Sequence, residues 1–227
     1  MTPRTKAQNE EIRNRRIAQI VAAAADVYLD KGMLMEIRDV ARVAGLGYGT
    51  VYHYYKNKID LLHDLLWQAM ERMAMTVQQL IDESQGLSGG KLPYEEARVS
   101  GTGDRPIESE QENQQLMVLV SGILKAWSKD HAAYLVCQLG NEAYRQLPEE
   151  QASPLAKVYL EYIIAPLSTV LEQGEAGVPS DMMTIDAENK AQMLLSAMCG
   201  CTLLPLRRGT LRSEAEGIAS FLCAGLM

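Results

Sequence analysis

Glu36 to Tyr55 reads EIRDVARVAGLGYGTVYHYY, and this stretch decides the fold. Ala41 is followed by Gly45 four residues on and by Val51 six beyond that. Each position has a steric reason in a helix-turn-helix. Two helices that cross closely need a small side chain at the crossing, which Ala41 supplies. The turn between them needs a backbone at positive φ, which glycine adopts at least cost, hence Gly45. The second helix must bury an aliphatic residue against the first, and Val51 can do so with Val40, Ala44 and Leu46. The pattern predicts short helices over 37–44 and 48–55. The N-terminal residues of the second would face outward, where a DNA major groove can receive them. The same spacing also fits an ordinary tight corner between two helices.

Working outward, Ile12 to Lys31 places Ile17, Ile20, Val21, Ala24, Val27 and Tyr28 on one broad helical face, and Gly32 ends it as a left-handed cap. Asn57 is an N-cap with Asp60 three residues on, so a helix is expected from Lys58 to about Ser84. Residues 85–108 hold five Gly and two Pro and read as a long loop, with at most one helical turn at 94–98. Helical patterns resume at about 109–129, 131–146, 153–173, 186–204 and 211–226. Ser153-Pro154 is expected to open one of them, Ser213 with Glu216 to form a capping box in the last, and Pro205 and Gly209 to punctuate the turn before it. The expectation is an all-α chain of about nine helices.

Composition narrows the function. The chain has 227 residues, 47% hydrophobic and 22% charged, which excludes disorder as a description of the whole. The net charge of -7 is unevenly spread: residues 1–60 carry +3 and residues 61–227 carry -10. A basic head on an acidic body is drawn to a polyanion by the head alone. No stretch is long and apolar enough to span a bilayer, and no signal-peptide pattern opens the chain, so a cytoplasmic location is expected. Cys137, Cys199, Cys201 and Cys223 lie in apolar helical stretches. Cys199 and Cys201 point about 200° apart on a helix and cannot share a metal there. The three histidines, His53, His63 and His131, have no partner at metal-ligand spacing. No phosphate-cradling glycine loop and no nucleophile elbow occurs. Neither catalytic residues nor a metal nor a cofactor is expected.

Gly49-Thr50-Val51-Tyr52-His53-Tyr54-Tyr55 followed by Lys58 resembles the recognition helix and fourth-helix entry of the TetR (tetracycline-repressor) family, whose pattern runs A-G-V-S-x-G-T-L-Y-x-Y-F-x-x-K-x-x-L. With Ile20, Ala24, Val27-Tyr28 and Gly32 upstream, the likeness covers about residues 13–73. The resemblance implies a DNA-binding domain over 1–57, with the helix-turn-helix at 36–55, and an effector-binding and dimerisation domain over 58–227. Two departures stand out. Gly47 replaces the family's serine before the recognition helix, and Glu36 stands where threonine opens the second helix. The DNA-contacting residues so implied are Arg38, Gly47, Tyr48, Gly49, Thr50, Tyr52, His53 and Lys58, with Arg4 and Lys6 adding positive charge. Thr50 and Tyr48 can meet base edges, Gly49 lets the backbone approach the duplex, and Lys58 faces phosphate.

The body holds bulky, soft side chains on several helices. Trp67, Met117, Trp127, Tyr134, Tyr159 and Tyr162 are candidate effector-binding residues, although such stripes also make plain hydrophobic core. Pro166 inside EYIIAPLSTVL is expected to kink its helix and free the Tyr162 carbonyl; the kink either merely curves the helix around the core or adds that carbonyl to a ligand site with the Tyr159 and Tyr162 hydroxyls. The two terminal helices are rich in small and aliphatic residues. Leu194, Met198, Ala215, Ile218, Ala219 and Leu222 are the candidate homodimer interface. The function implied is a ligand-responsive transcriptional regulator, a repressor released from a palindromic double-stranded DNA operator by a small hydrophobic effector. The rival is a helical small-molecule carrier or enzyme without DNA function.

Overall fold

The structure is a computed structural model that describes residues 6–86, 107–173 and 185–224. Most of the 85–108 segment expected as a loop, Arg4 and the last three residues lie outside these. All the described elements are helical: α1 (Lys6–Lys31), a 3-10 turn (Gly32–Leu34), α2 (Ile37–Val43), α3 (Tyr48–Tyr54), α4 (Lys58–Gly86), α5 (Ile107–Trp127), α6 (His131–Gly140), α7 (Glu149–Tyr159), α8 (Ala165–Gln173), α9 (Ala187–Arg208) and α10 (Leu211–Ala224). A π turn, Leu160–Ile164, joins α7 to α8, and with 149–173 taken as one interrupted helix the described residues form nine.

By packing, the described chain divides into two compact units, residues 1–71 with 130–156 and residues 72–129 with 157–227. The boundary thus falls inside α4, and α6 with most of α7 packs in the first unit. In the first unit, α1 packs on α2 and on α6, and α2 packs on α3. Ile20, Ala24, Val40, Ala41, Val51 and Leu61 are buried in its core. In the second, α10 packs on α5 and α9, and α8 packs on α9. Gly122 marks the closest approach of α5 to the second half of α4: a Cβ there would lie 2.5 Å from Leu80 Cδ2.

Local chemistry explains most helix ends. Gly32, Gly45 and Gly209 have φ of +55°, +64° and +71°, and they close α1, the α2–α3 turn and the end of α9. Asp130 caps α6, its carboxylate accepting from the N–H groups of Ala132 and Ala133, and Asp186 caps α9 through Asn189 N–H. Four expectations are corrected. Pro154 does not open its helix: α7 begins at Glu149, directly after Pro148, and Pro154 lies inside. Its missing N–H faces the carbonyl of the exposed Glu150, which water can satisfy. Pro205 lies inside α9, which continues to Arg208. The last helix opens at Leu211, where the Thr210 carbonyl accepts from the Ser213 and Glu214 N–H groups, so Ser213 is inside the first turn and not its cap. The segment 131–146 is helical only to Gly140, because Ala143 and Tyr144 adopt positive φ. The fully buried Tyr144 ring holds that turn in place, its hydroxyl donating to the Val136 carbonyl at 3.0 Å.

Candidate nucleic-acid interface

The turn Ala44–Gly47 sets α3 against α2. Leu46 N–H donates to the Ala41 carbonyl at 2.9 Å, and Gln19 of α1 donates its side-chain N–H to the Ala44 carbonyl at 2.7 Å. Val51 is completely buried, which turns the opposite face of α3 outward. Lys31 ties the end of α1 to α2 through an ion pair with Asp39 at 2.8 Å. That hydrogen bond holds the Asp39 carboxyl below its ordinary pKa. The Tyr55 hydroxyl donates to the Asp64 carboxylate and pins the start of α4 to the end of α3. Burial, then Asp64, pushes the Tyr55 phenol well above its ordinary value, so it stays protonated. Asn57 and Asp60 form the expected reciprocal cap: Asp60 N–H donates to Asn57 Oδ1 at 2.9 Å and Asn57 Nδ2 to Asp60 Oδ2 at 2.7 Å.

On this frame, Glu36, Ile37, Arg38, Tyr48, Tyr52, Lys56 and Lys58 surround an open concavity of about 590 Å³. Tyr48 and Tyr52, one helical turn apart, stack with ring centroids 5.6 Å apart and planes 25° apart. Lys56 lays its ammonium 4.8 Å from the Tyr52 ring centroid. Arg38 Nε lies 2.6 Å from Glu36 Oε2, and Lys58 Nζ donates to the Met33 carbonyl. Of the eight residues expected to meet DNA, Arg38, Tyr48, Tyr52 and Lys58 therefore share one surface. Gly47 is the N-cap of α3, Gly49 and His53 are exposed, and Thr50 is half-buried. The His53 ring meets Tyr54 edge-on. Lys56 was not expected. The only hint was its place four residues after Tyr52. Gln19 was hidden further, because its acceptor lies 25 residues away.

The candidate effector residues scatter more widely. Trp67, half-buried beside His63, and the buried Tyr134 belong to the first unit, whereas Met117, Trp127, Tyr159 and Tyr162 belong to the second. Trp127 and Tyr159 are buried, whereas Met117 is 39% and Tyr162 50% exposed. The π turn gives the reason for Tyr162. Ala165 N–H donates to the Leu160 carbonyl, so the turn closes over five residues. Residues four and five apart then align, and Ile163 and Ile164 follow Tyr159 into the core while Tyr162 turns out. Pro166 is thus accommodated by a widened turn directly before it.

The candidate dimer residues lie mostly inward. Leu194, Met198, Ala215, Ala219 and Leu222 are buried within a single chain, and Ile218 is half-buried. They fill the packing of α9 and α10 in the second unit. The outward apolar residues of the same helices are Met193, Leu204 and Phe221, exposed by 57%, 55% and 73%.

Among the described residues no group of three or more His, Cys, Asp or Glu could hold a metal ion, and no helix is long and apolar enough to cross a membrane. No disulfide forms among the described residues, and burial pushes the Cys199 thiol up to about 12.

An aromatic α3, packed on α2 and followed by Lys56 and Lys58, completes a helix-turn-helix. Residues 20–65 match the family described as bacterial regulatory proteins, tetR family. No curated protein matches it. Among solved structures, the fatty acid degradation regulator FadR of Bacillus halodurans is similar in fold, with 23% identity over 92% of this chain and 99% of that one, at a TM-score of 0.55. FadR of Bacillus subtilis, solved in complex with stearoyl-CoA, gives 20% identity over 92% and 99%, at 0.52. The TetR family transcriptional regulator PfmR of Thermus thermophilus gives 14% over 89% and 92%, at 0.54.

Proposed function

We propose that this protein is a homodimeric repressor that binds a palindromic operator and leaves it when a small hydrophobic effector binds its helical body. The observation that carries the reading is the concavity of Arg38, Tyr48, Tyr52, Lys56 and Lys58 beside the outward face of α3. Tyr48 and Thr50 read base edges, and Gly47 and Gly49 allow close approach. Tyr52, His53, Arg38 and Lys58 meet the phosphates. A carrier or an enzyme has no use for such a face, and the protein works in the cytoplasm on duplex DNA.

The dimer uses the outer stripe of the terminal helices, Met193, Ala197, Gly200 and Leu204 on α9 with Gly217 and Phe221 on α10, all exposed in the single chain. Gly200 and Gly217 support this choice. Neither has a neighbour within 4 Å of a would-be Cβ, so nothing within the chain requires glycine there. A mid-helix glycine costs about 1 kcal/mol relative to alanine, and a second helix pressed against it supplies a reason. The effector has a long apolar part, which is held in the second unit near Trp127 and Tyr159. The fold likeness to a regulator solved with stearoyl-CoA makes a long-chain acyl-CoA the first compound to try.

Selection of genomic fragments on the immobilised protein at controlled salt yields the operator. Anisotropy titrations are expected to show a steep salt dependence that Lys58→Ala flattens by about one unit of slope. Stearoyl-CoA is then added to the complex, with release expected. Failure to retain any duplex at low salt refutes the reading.

A further inference from the structure

Tyr48 stands between Gly47 and Gly49, neither of which has a side chain to steady its ring, and both flanking positions are exposed. Its lateral support on α3 is Tyr52, against which it stacks at 5.6 Å. Tyr52 is itself exposed, and Lys56 covers its ring from the bend beyond the helix, 4.8 Å from the centroid. The backbone leaves α3 extended at Tyr55, with φ −129° and ψ 112°, and Lys56 follows directly. The other two cations of the concavity are engaged elsewhere, Arg38 with Glu36 and Lys58 with the Met33 carbonyl. Lys56 is therefore the cation spent on an aromatic ring and not on a carboxylate or a carbonyl.

We propose that Lys56 is a positioning residue for base recognition. Its ammonium holds Tyr52, Tyr52 holds Tyr48, and Tyr48 meets the base edges with its ring already oriented. The inference rests on the DNA-binding reading above and adds a residue that acts through two others. Without the cation, the stacked arrangement of two exposed rings loses about two- to fivefold in population. Tyr48 then samples other rotamers, and each wrong base is penalised less. A phosphate contact alone would instead weaken every sequence equally.

The test uses the full chain and the operator obtained by selection. Tyr48→Ala identifies the base pairs that Tyr48 reads, as those whose substitution no longer matters. Lys56→Met and Lys56→Arg are then titrated against the operator, against single-pair variants at those positions, and against variants elsewhere. Lys56→Met is expected to cut discrimination at the Tyr48 positions by about two- to fivefold and to leave it unchanged elsewhere. Lys56→Arg, which keeps a cation for the ring, is expected to restore it. In the free protein, ring-to-ring nuclear Overhauser contacts between Tyr48 and Tyr52 should weaken in Lys56→Met and return in Lys56→Arg. Uniform weakening with discrimination intact overturns the proposal and leaves Lys56 as a phosphate contact. Ring contacts that persist in Lys56→Met overturn it independently of any DNA measurement. If the unmodified protein retains no duplex, the DNA-binding reading fails as well.

Discussion

Replacing Gly200 with alanine separates what the chain needs from what its partner needs. Gly200 lies in the middle of α9 on the exposed face, and a Cβ built there meets nothing within 4 Å. Within one chain the substitution therefore brings only better helix propensity, about 0.8–1 kcal/mol in favour of the folded state. For a chain of this size that raises Tm by about 2–4 °C. In a two-fold dimer packed through this stripe the outcome reverses. Each added methyl meets the facing helix, and overpacking costs about 1–3 kcal/mol per site, which symmetry doubles to about 2–6 kcal/mol. The dimer dissociation constant should rise at least about thirtyfold. Sedimentation equilibrium of the parent and of Gly200→Ala measures that change. Thermal melts at a concentration where Gly200→Ala is monomeric should still show the small intrachain gain. If the variant gains stability and its dimer is as tight as the parent's, no helix presses on Gly200, and the outer stripe is not the interface.

Three substitutions in the first unit probe its local chemistry. Val51→Ala removes two buried methyl groups from the helix-turn-helix core and should cost about 2–3 kcal/mol in urea unfolding, with parallel loss of operator binding; a change under about 0.5 kcal/mol contradicts its burial. Gly45→Ala has room for its Cβ but keeps φ at +64°, so it should cost about 1–2 kcal/mol through the backbone alone, and Gly45→Asn should recover part of that. His131 Nδ1 lies 2.6 Å from Asp26 Oδ1 across the α1–α6 contact. That hydrogen bond, more than the opposing burial, raises its pKa above 6.5, with the charges of Asp26 and Asp130 adding to it. The pair's stabilisation is then fully present below about pH 6.5 and is lost as pH rises through the higher folded value. The stability difference between the parent and His131→Phe should shrink as pH rises from about 6.5 through the raised folded value, and a constant difference would sink the assignment.

Local sterics made much of the head legible from the residues alone. Gly45 is at positive φ because no other side chain adopts that turn as cheaply, Val51 is buried because α3 has one aliphatic face, and Asn57 with Asp60 caps α4 through bonds spanning three residues. Such features depend on neighbours a few positions away, and the order of the chain specifies them. What depends on distant partners was not legible. Gln19 secures the turn through a carbonyl 25 residues on, and Lys56 covers Tyr52 because the chain bends after Tyr55. Tyr162 points outward because the turn before Pro166 closes over five residues, which helical periodicity at four does not foresee. The terminal helices make the same point. Both α9 and α10 are apolar on two sides, so their period marks two equivalent stripes. The packing of α9 and α10 in their unit buries the one with Leu194, Met198 and Ala219, and leaves outside the one with Met193, Leu204 and Phe221. Periodicity measures how apolar a face is, and only the neighbouring helices determine which apolar face is covered.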